Sequence, residues 1–305
     1  MPRPRPRTAR KNEPLLTVVV PIYNEADSLP AFLPRLISHC RGRDWNLILV
    51  DDGSRDGSSA ILARYAKPPR VQLLQHKVNR GYGGALKTGI AAARTPRVVT
   101  IDGDGQHSME DIDRMLGFAL QQDADLVVGN RTGRRRPDRY RELGKWFIRR
   151  FTEMLMPLPI HDLNSGFKLY RTEQARSYLP LCPDSMAFSD VITLIFIHQG
   201  RLVLEHPVAV QPRAHGTSTI STRTAVETVV EILNLVMMFN PLRIFLPLSA
   251  ACLAFGLIWG TWIVLLGRGV SVGSMLAIVT GLLFFAIGLI ANQLAAIRMG
   301  MHARG

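Results

Sequence analysis

A chain of 305 residues with a formal net charge of +13 can bury a core of roughly 200 residues and still leave a long remainder, which here is apolar. The positive charge is clustered, in the first eleven residues and again from Arg131 to Arg150, a pattern suited to phosphate, nucleic acid or an anionic membrane surface. Cys40, Cys182 and Cys252 are scattered and lack metal-site spacing, which argues against a disulfide framework or a zinc centre and for a reducing compartment.

Residues 1–13 read as a basic, disordered arm. Their alternating prolines and arginines carry the charge of a secretory n-region, but no long apolar stretch follows before the first strand. Leu15 to Ile22 is a strand by its Val18-Val19-Val20 run and ends in Pro21-Ile22-Tyr23-Asn24-Glu25. Asp27 or Ser28 stands where it can cap a helix running to about Cys40. Asn46 to Val50 is a second strand, ending in Asp51-Asp52-Gly53-Ser54, and Val71 to Gln75 is a third.

Gly81-Tyr82-Gly83-Gly84 opens a helix whose small residues, from Ala85 through Ala93, allow close packing on a sheet. These glycines look like a dinucleotide phosphate loop, but the pattern lacks its third glycine or alanine and follows the third strand, not the first. The fourth strand, from Val98 to Ile101, delivers Asp102-Gly103-Asp104-Gly105-Gln106-His107 to its carboxyl end. Two carboxylates one residue apart repel each other unless protons or a divalent cation lie between them, and oxygen ligands on a tight turn suit Mg²⁺ or Mn²⁺. A solvated Asp-Gly turn is the plain alternative for that motif taken alone. Strands alternating with helices predict an α/β fold with a mostly parallel sheet, whose right-handed crossovers bring the three acidic loops to one end.

The successive stretches Val19-Val20-Pro21-Ile22-Tyr23-Asn24-Glu25, Val50-Asp51-Asp52-Gly53-Ser54, Asn79-Arg80-Gly81 with Gly84, and Asp102 to His107 resemble the ordered motifs of family 2 glycosyltransferases. Within that family the chain is most similar to polyprenyl-phosphate glycosyltransferases of the dolichol-phosphate mannose synthase type, over roughly residues 15 to 215. The resemblance implies a GT-A catalytic domain. It implies that Pro21, Tyr23 and Glu25 contact the base and ribose of a nucleotide sugar, that Asp51 or Asp52 holds the base, and that Asp102, Asp104 and Gln106 form the metal and diphosphate site.

After a strand from Asp125 to Gly129, Arg131 follows a strand end, and the resemblance places it on phosphate, where a guanidinium fork is chemically suited. Asp162, in Asp162-Leu163-Asn164-Ser165-Gly166-Phe167-Lys168, resembles the acceptor-side loop of the family. Phe188 to Gln199 reads as a helix in which Asp190 replaces the family's more usual Glu. Arg213 to Ser218 resembles the segment that closes on phosphates, so Arg213 and Ser218 are further phosphate candidates, and Asp104, Arg131 and Arg213 are the expected catalytic residues.

Thr222 to Asn240 carries valines, leucines and methionines along one broad face and reads as an interfacial helix. Ile244 to Leu266 and Val272 to Ile297 are uncharged and long enough to span a bilayer, with arginines flanking the outer ends. The catalytic domain and both termini are therefore expected in the cytoplasm, at the plasma or inner membrane if the source is bacterial. Gly256 and Gly260 form a G-x-x-x-G, a helix-packing pattern compatible with a homo-oligomer through these helices.

The expected organisation is a basic arm over 1–13, a GT-A domain over 14–219, an interfacial helix over 220–242 and a two-helix anchor over 243–305. The expected reaction is inverting, metal-dependent transfer of a sugar from a nucleotide sugar, such as GDP-mannose or a UDP-sugar, to a polyprenyl phosphate, with no nucleic-acid partner. A processive polysaccharide synthase and a non-catalytic membrane tether are the rival readings. The first lacks its usual Q-x-x-R-W segment here, and the second leaves the acidic motifs without a purpose.

Overall fold

The computed structural model describes residues 14–103, 105, 107–130, 160–163, 165–209, 237 and 240–302, with side chains to residue 297. The arm over 1–13 and most of the expected interfacial helix lie outside the described residues. The described chain forms two compact units, the first built from residues 14–130 and 160–209 and the second from residues 240–302.

The first unit is organised on a seven-stranded sheet. Its strands are β1 (Leu16–Ile22), β2 (Asn46–Asp51), β3 (Val71–Gln75), β4 (Arg97–Thr100), β5 (Leu126–Asn130), β6 (Lys168–Arg171) and β7 (Val203–Pro207), in the spatial order β3-β2-β1-β4-β6-β5-β7. β1 pairs in parallel with β2 and β4, β2 with β3, and β5 with β7. The mostly parallel reading holds with one insertion: β6 runs antiparallel to both its neighbours, β4 and β5.

Helices cover both faces, which is why β1 reads as a continuous apolar run and not as an alternation. Val18, Val19 and Val20 are all fully buried. On one face lie α1 (Leu29–Gly42), α2 (Ser58–Tyr65) and α4 (Met109–Gln121), whose Leu33, Leu36, Leu62, Ile112 and Met115 join Val18, Val20 and Leu49 in one cluster. On the other face, α3 (Tyr82–Ala92) packs close to β1 and β2, with α5 (Thr172–Tyr178) and α6 (Phe188–His198) beside it. The small residues of α3 permit that approach: a Cβ at Gly89 would stand 3.2 Å from Val50 Cγ2 and closer still to Val19.

Ser28 sits at the amino end of α1 but does not cap it through its hydroxyl. Its backbone is already helical, at φ −85° and ψ −35°, so the hydroxyl turns back and donates to the Glu25 carboxylate at 2.9 Å. Cys40 and Cys182 are buried, and burial pushes both thiols up to about 12.

The second unit is a hairpin of α7 (Leu242–Leu265) and α8 (Val272–His302). Both helices are long and apolar enough to cross a membrane. Their arrangement reverses that of a water-soluble hairpin: Ile258, Trp262, Leu265 and Leu276 are exposed, whereas Ser249 and Ser274 are buried. The Ser249 hydroxyl donates to the Gly281 carbonyl at 2.7 Å. Gly256 and Gly260 face α8 of the same chain, where a Cβ on Gly256 would stand 2.7 Å from Ile278 Cγ1 and 2.9 Å from the Ser274 carbonyl oxygen.

Candidate active site

The carboxyl ends of β1, β2 and β4 open into a cleft of about 480 Å³, lined among others by Pro21, Tyr23, Glu25, Asp52, Asp102 and Ser189. Parallel strands joined by right-handed crossovers put these ends on one edge of the sheet, where open α/β sheets bind ligands. Local hydrogen bonds then lace the loops together. The Asn24 amide donates to the Ser54 hydroxyl (3.1 Å), the Glu25 amide to the Ser58 hydroxyl (2.9 Å), the Ala26 amide to Asp56 Oδ2 (2.9 Å), and the Arg55 amide to Asn24 Oδ1 (2.8 Å). Asn24 adopts φ +53°, and this left-handed turn leaves the neighbouring Tyr23 ring 45% exposed at the cleft.

The adjacent aspartates after β2 divide their work. Asp51 is buried away from the cleft and accepts hydrogen bonds from the Ser54 amide at 3.0 Å, from the Ser59 hydroxyl and from Gln75 Nε2. Burial alone would raise its pKa, but the bonds from Ser59, Ser54 and Gln75 outweigh that and hold the carboxyl below its ordinary value. Asp52 lines the cleft wall. Its Oδ1 meets His76 Nδ1 (2.6 Å) and the Arg80 amide (2.9 Å), its Oδ2 accepts from the Gly81 amide (2.9 Å), and His76 Nε2 meets the Thr88 hydroxyl (2.9 Å).

The Gly81-Tyr82-Gly83-Gly84 stretch proves to be a seat for protein. A Cβ at Gly81 would stand 2.6 Å from the Asp184 carbonyl oxygen, and one at Gly83 would stand 2.5 Å from that of Pro183 and 2.7 Å from that of Ser185. The Gly84 amide donates to the Asp184 carbonyl at 3.1 Å, and Lys87 Nζ reaches Asp184 Oδ1 at 2.7 Å. The Gly81 and Gly84 amides at the start of α3 are thus met by Asp52 and by the Asp184 carbonyl, and the 183–185 segment leads to Met186 at the cleft.

At the end of β4, Asp102 Oδ1 accepts from the Tyr82 hydroxyl at 2.9 Å, and Oδ2 lies 4.0 Å from His107 Nε2. Burial first, then the Asp102 charge, raises the Tyr82 phenol well above its usual range, so it stays a donor. His107 is buried against Phe167, with ring centroids 4.8 Å apart. The Asp102 side chain keeps 32% exposure on the cleft, as a hard-cation ligand would. Among the described residues no group of three His, Cys, Asp or Glu could hold a metal. Asp104 and Gln106, the other expected ligands, lie outside the described residues, as do Arg131, Arg213 and Ser218.

Asp162 is half-buried and away from the cleft lining. Its amide donates to Glu205 Oε1 at 2.8 Å. Lys168, fully buried on β6, donates from Nζ to the Leu163 carbonyl at 2.6 Å and to the Ser189 carbonyl, tying the 160–166 loop to the first turn of α6, which also carries Asp190. Tyr82, His76, Lys168 and Glu205 are organising residues that the motif reading passed over. Tyr82 and Lys168 lie inside quoted stretches without having been singled out, whereas a lone His or Glu gives no signal in one sequence.

This fold is that of GT-A glycosyltransferases. The glucosyl-3-phosphoglycerate synthase of Mycobacterium tuberculosis, crystallised with Mn²⁺, UDP-glucose and phosphoglyceric acid, superposes with a TM-score of 0.56 at 19% identity, covering 73% of this chain and 80% of that one. The chain belongs to glycosyl transferase family 2, whose family model matches residues 17–179, and a second model, the GtrB C-terminal hairpin, matches residues 240–297. Among curated relatives, the undecaprenyl-phosphate 4-deoxy-4-formamido-L-arabinose transferase of Pectobacterium carotovorum is 27% identical, over 95% of this chain and 90% of its own length. The enzyme of that name from Pectobacterium atrosepticum is 30% identical over 75% and 69%.

Proposed function

We propose that this glycosyltransferase moves a sugar from a nucleotide diphosphate sugar to a polyprenyl phosphate at the cytoplasmic face of a membrane, with inversion at the anomeric carbon. The observation that carries the reading is the presence, in one chain, of a cleft at the β1, β2 and β4 ends and a hairpin long and apolar enough to cross a membrane. The relatives named for undecaprenyl phosphate, aligned along nearly the whole chain, support that acceptor. The proposal keeps the division at 14–219, 220–242 and 243–305.

Pro21, Tyr23, Glu25 and Asp52 hold the nucleoside in this reading, with Asp51 fixing the loop beneath. Asp102, Asp104 and Gln106 would hold Mg²⁺ or Mn²⁺, which when bound neutralises charge on the departing diphosphate. Crystals of the mycobacterial synthase with either ion and UDP support that assignment. Arg131, Arg213 and Ser218, with Asp162 orienting its loop, meet the phosphates. A lipid phosphate is already an anion near neutral pH, so it attacks without a strong general base, and the chain needs chiefly to position it in line. Arg243 and Arg298, near the two outer ends of the hairpin, support a cytoplasmic location for both termini, which a reporter fused after Gly305 checks.

Membranes containing the protein, incubated with polyprenyl phosphate and a panel of radiolabelled nucleotide sugars, should give one lipid-extractable monosaccharide product of inverted configuration by NMR. The label should vanish on chelation and return with Mg²⁺ or Mn²⁺. Long polymer would establish the synthase reading, absence of transfer from every donor the tether, and a retained configuration would refute in-line displacement.

A further inference from the structure

Glu205 stands on β7, the edge strand of the sheet, opposite Val128 of β5. Its carboxylate is 15% exposed, and both oxygens are engaged by segments distant in sequence. Oε1 accepts from the backbone amides of His161 and Asp162, the latter at 2.8 Å. Oε2 accepts from Asn130 Nδ2 at 3.0 Å and meets His161 Nδ1 at 3.0 Å. A largely buried carboxylate met by two backbone amides, a side-chain amide and an imidazole is stable only while those donors stay in place, because charge-assisted bonds are strong and a stranded charge is costly.

The segments it joins are those that lead to the acceptor half of the site. Asn130 ends β5 and precedes Arg131 in the sequence, so the bond to its side chain holds the strand end next to that arginine. His161 and Asp162 open the loop that Lys168 holds through the Leu163 carbonyl and that ends at Gly166 on the cleft wall. There a Cβ would stand 2.7 Å from Asp102 Oδ1, so the backbone of this loop forms part of the cleft wall itself. A turn that needed only local satisfaction would use neighbouring residues; these bonds instead reach across 43 to 75 positions.

We propose that Glu205 is a positioning residue for acceptor transfer, clamping the end of β5 to the 160–166 loop so that the acceptor side of the cleft keeps one geometry. This rests on the reading that the acceptor is a lipid phosphate met on this side of the cleft. A misplacement of about 1 Å at such a clamp lowers transfer by up to roughly a hundredfold.

The test uses the full-length protein in detergent, polyprenyl phosphate, and the nucleotide sugar that the unaltered chain accepts. Glu205→Gln removes the charge that the two backbone amides and the imidazole meet, and Asn130→Asp sets a second carboxylate against Glu205. Each should raise the acceptor KM roughly ten- to hundredfold while the donor KM stays within about twofold. The two changes together exchange amide and carboxylate, restore a donor–acceptor pair, and should recover much of the acceptor KM. Wild-type acceptor KM in both single variants, equal movement of donor and acceptor KM, or a folded double variant without recovery would overturn the proposal. If either single variant fails to fold, the double variant decides. No lipid-linked product from the unaltered chain would overturn the functional reading, and this proposal with it.

Discussion

Glycine brings two segments together in both units, and what it admits differs. In the first unit, Gly81 and Gly83 admit backbone carbonyls of residues 183–185, and the Gly84 amide donates to the Asp184 carbonyl. In the hairpin, Gly281 and Gly288 admit chiefly side-chain carbons, of Leu253 and Phe245, and Gly256 admits Ile278 Cγ1 beside the Ser274 carbonyl oxygen. In water the close approach satisfies polar groups beneath a solvent-facing cleft, whereas between membrane helices the gain comes mainly from van der Waals packing of small against large. Each motif suggests an external occupant, a phosphate for the first and a second helix dimerised across the second, yet in each the seat is filled from within the chain.

The first way to break the comparison is Gly83→Val. Its Cβ meets the Pro183 and Ser185 carbonyls and Phe188 Cβ at 2.8 Å, none of them the far end of a flexible side chain, so the 182–186 loop must leave its seat. The expected loss is about 3 kcal/mol or more, with Met186 displaced and nucleotide binding weakened, read by thermal unfolding and calorimetry. Gly256→Leu should cost less, about 1–3 kcal/mol, because the hairpin can splay in detergent. It should lower the melting temperature of the hairpin while nucleotide affinity stays unchanged; a parallel loss of affinity would contradict it.

A third test separates the two by charge. The first unit is held by carboxylates at its loops, whereas the stretch from Ile244 to Ile297 contains no Asp or Glu. The folded-state pKa of Asp51 is depressed, so its contribution is fully present above the unfolded value, near 3.9, and is lost as pH falls through the folded value. Asp51→Asn should therefore cost about 1–2 kcal/mol near neutral pH, with the gap from wild type closing as pH falls below 4. Melting curves from pH 7 to 3 check this, and a gap independent of pH would count against it. The smallest effect belongs to Ser249→Ala, which removes the hydroxyl bond to the Gly281 carbonyl and should cost about 0.6 kcal/mol in detergent denaturation.

What was legible in the sequence was whatever a local pattern encodes. β1, β2 and β3 follow apolar runs punctuated by acids and glycines, and the structure places their ends to within a residue. Pro21, Tyr23, Glu25, Asp52 and Asp102 meet at one cleft, as strand-end positions in a parallel sheet must. Direction and partnership were not legible. Asp51 and Asp52 are chemically identical neighbours, and only the loop geometry turns one to the Ser59 hydroxyl and the other to the cleft. Ser28 has the identity of a cap, but its helical ψ sends the hydroxyl to Glu25. Glu205 has no periodic signature, since its partners lie 43 and more positions away.

The antiparallel β6 also sets an order on synthesis. Strands β3, β2, β1 and β4 are complete once residue 100 has emerged, and they pair among themselves. β5 is made next but touches neither β4 nor any earlier strand; its neighbours are β6 and β7. From Asn130 until Lys168 emerges, a growing chain therefore carries Leu126-Val127-Val128 as an unpaired strand beside a β4 whose outer edge is still open. Two such edges invite the wrong pairing, of β5 directly onto β4 or onto another chain. A ribosome that stalls within this window would hold the chain with both edges unpaired.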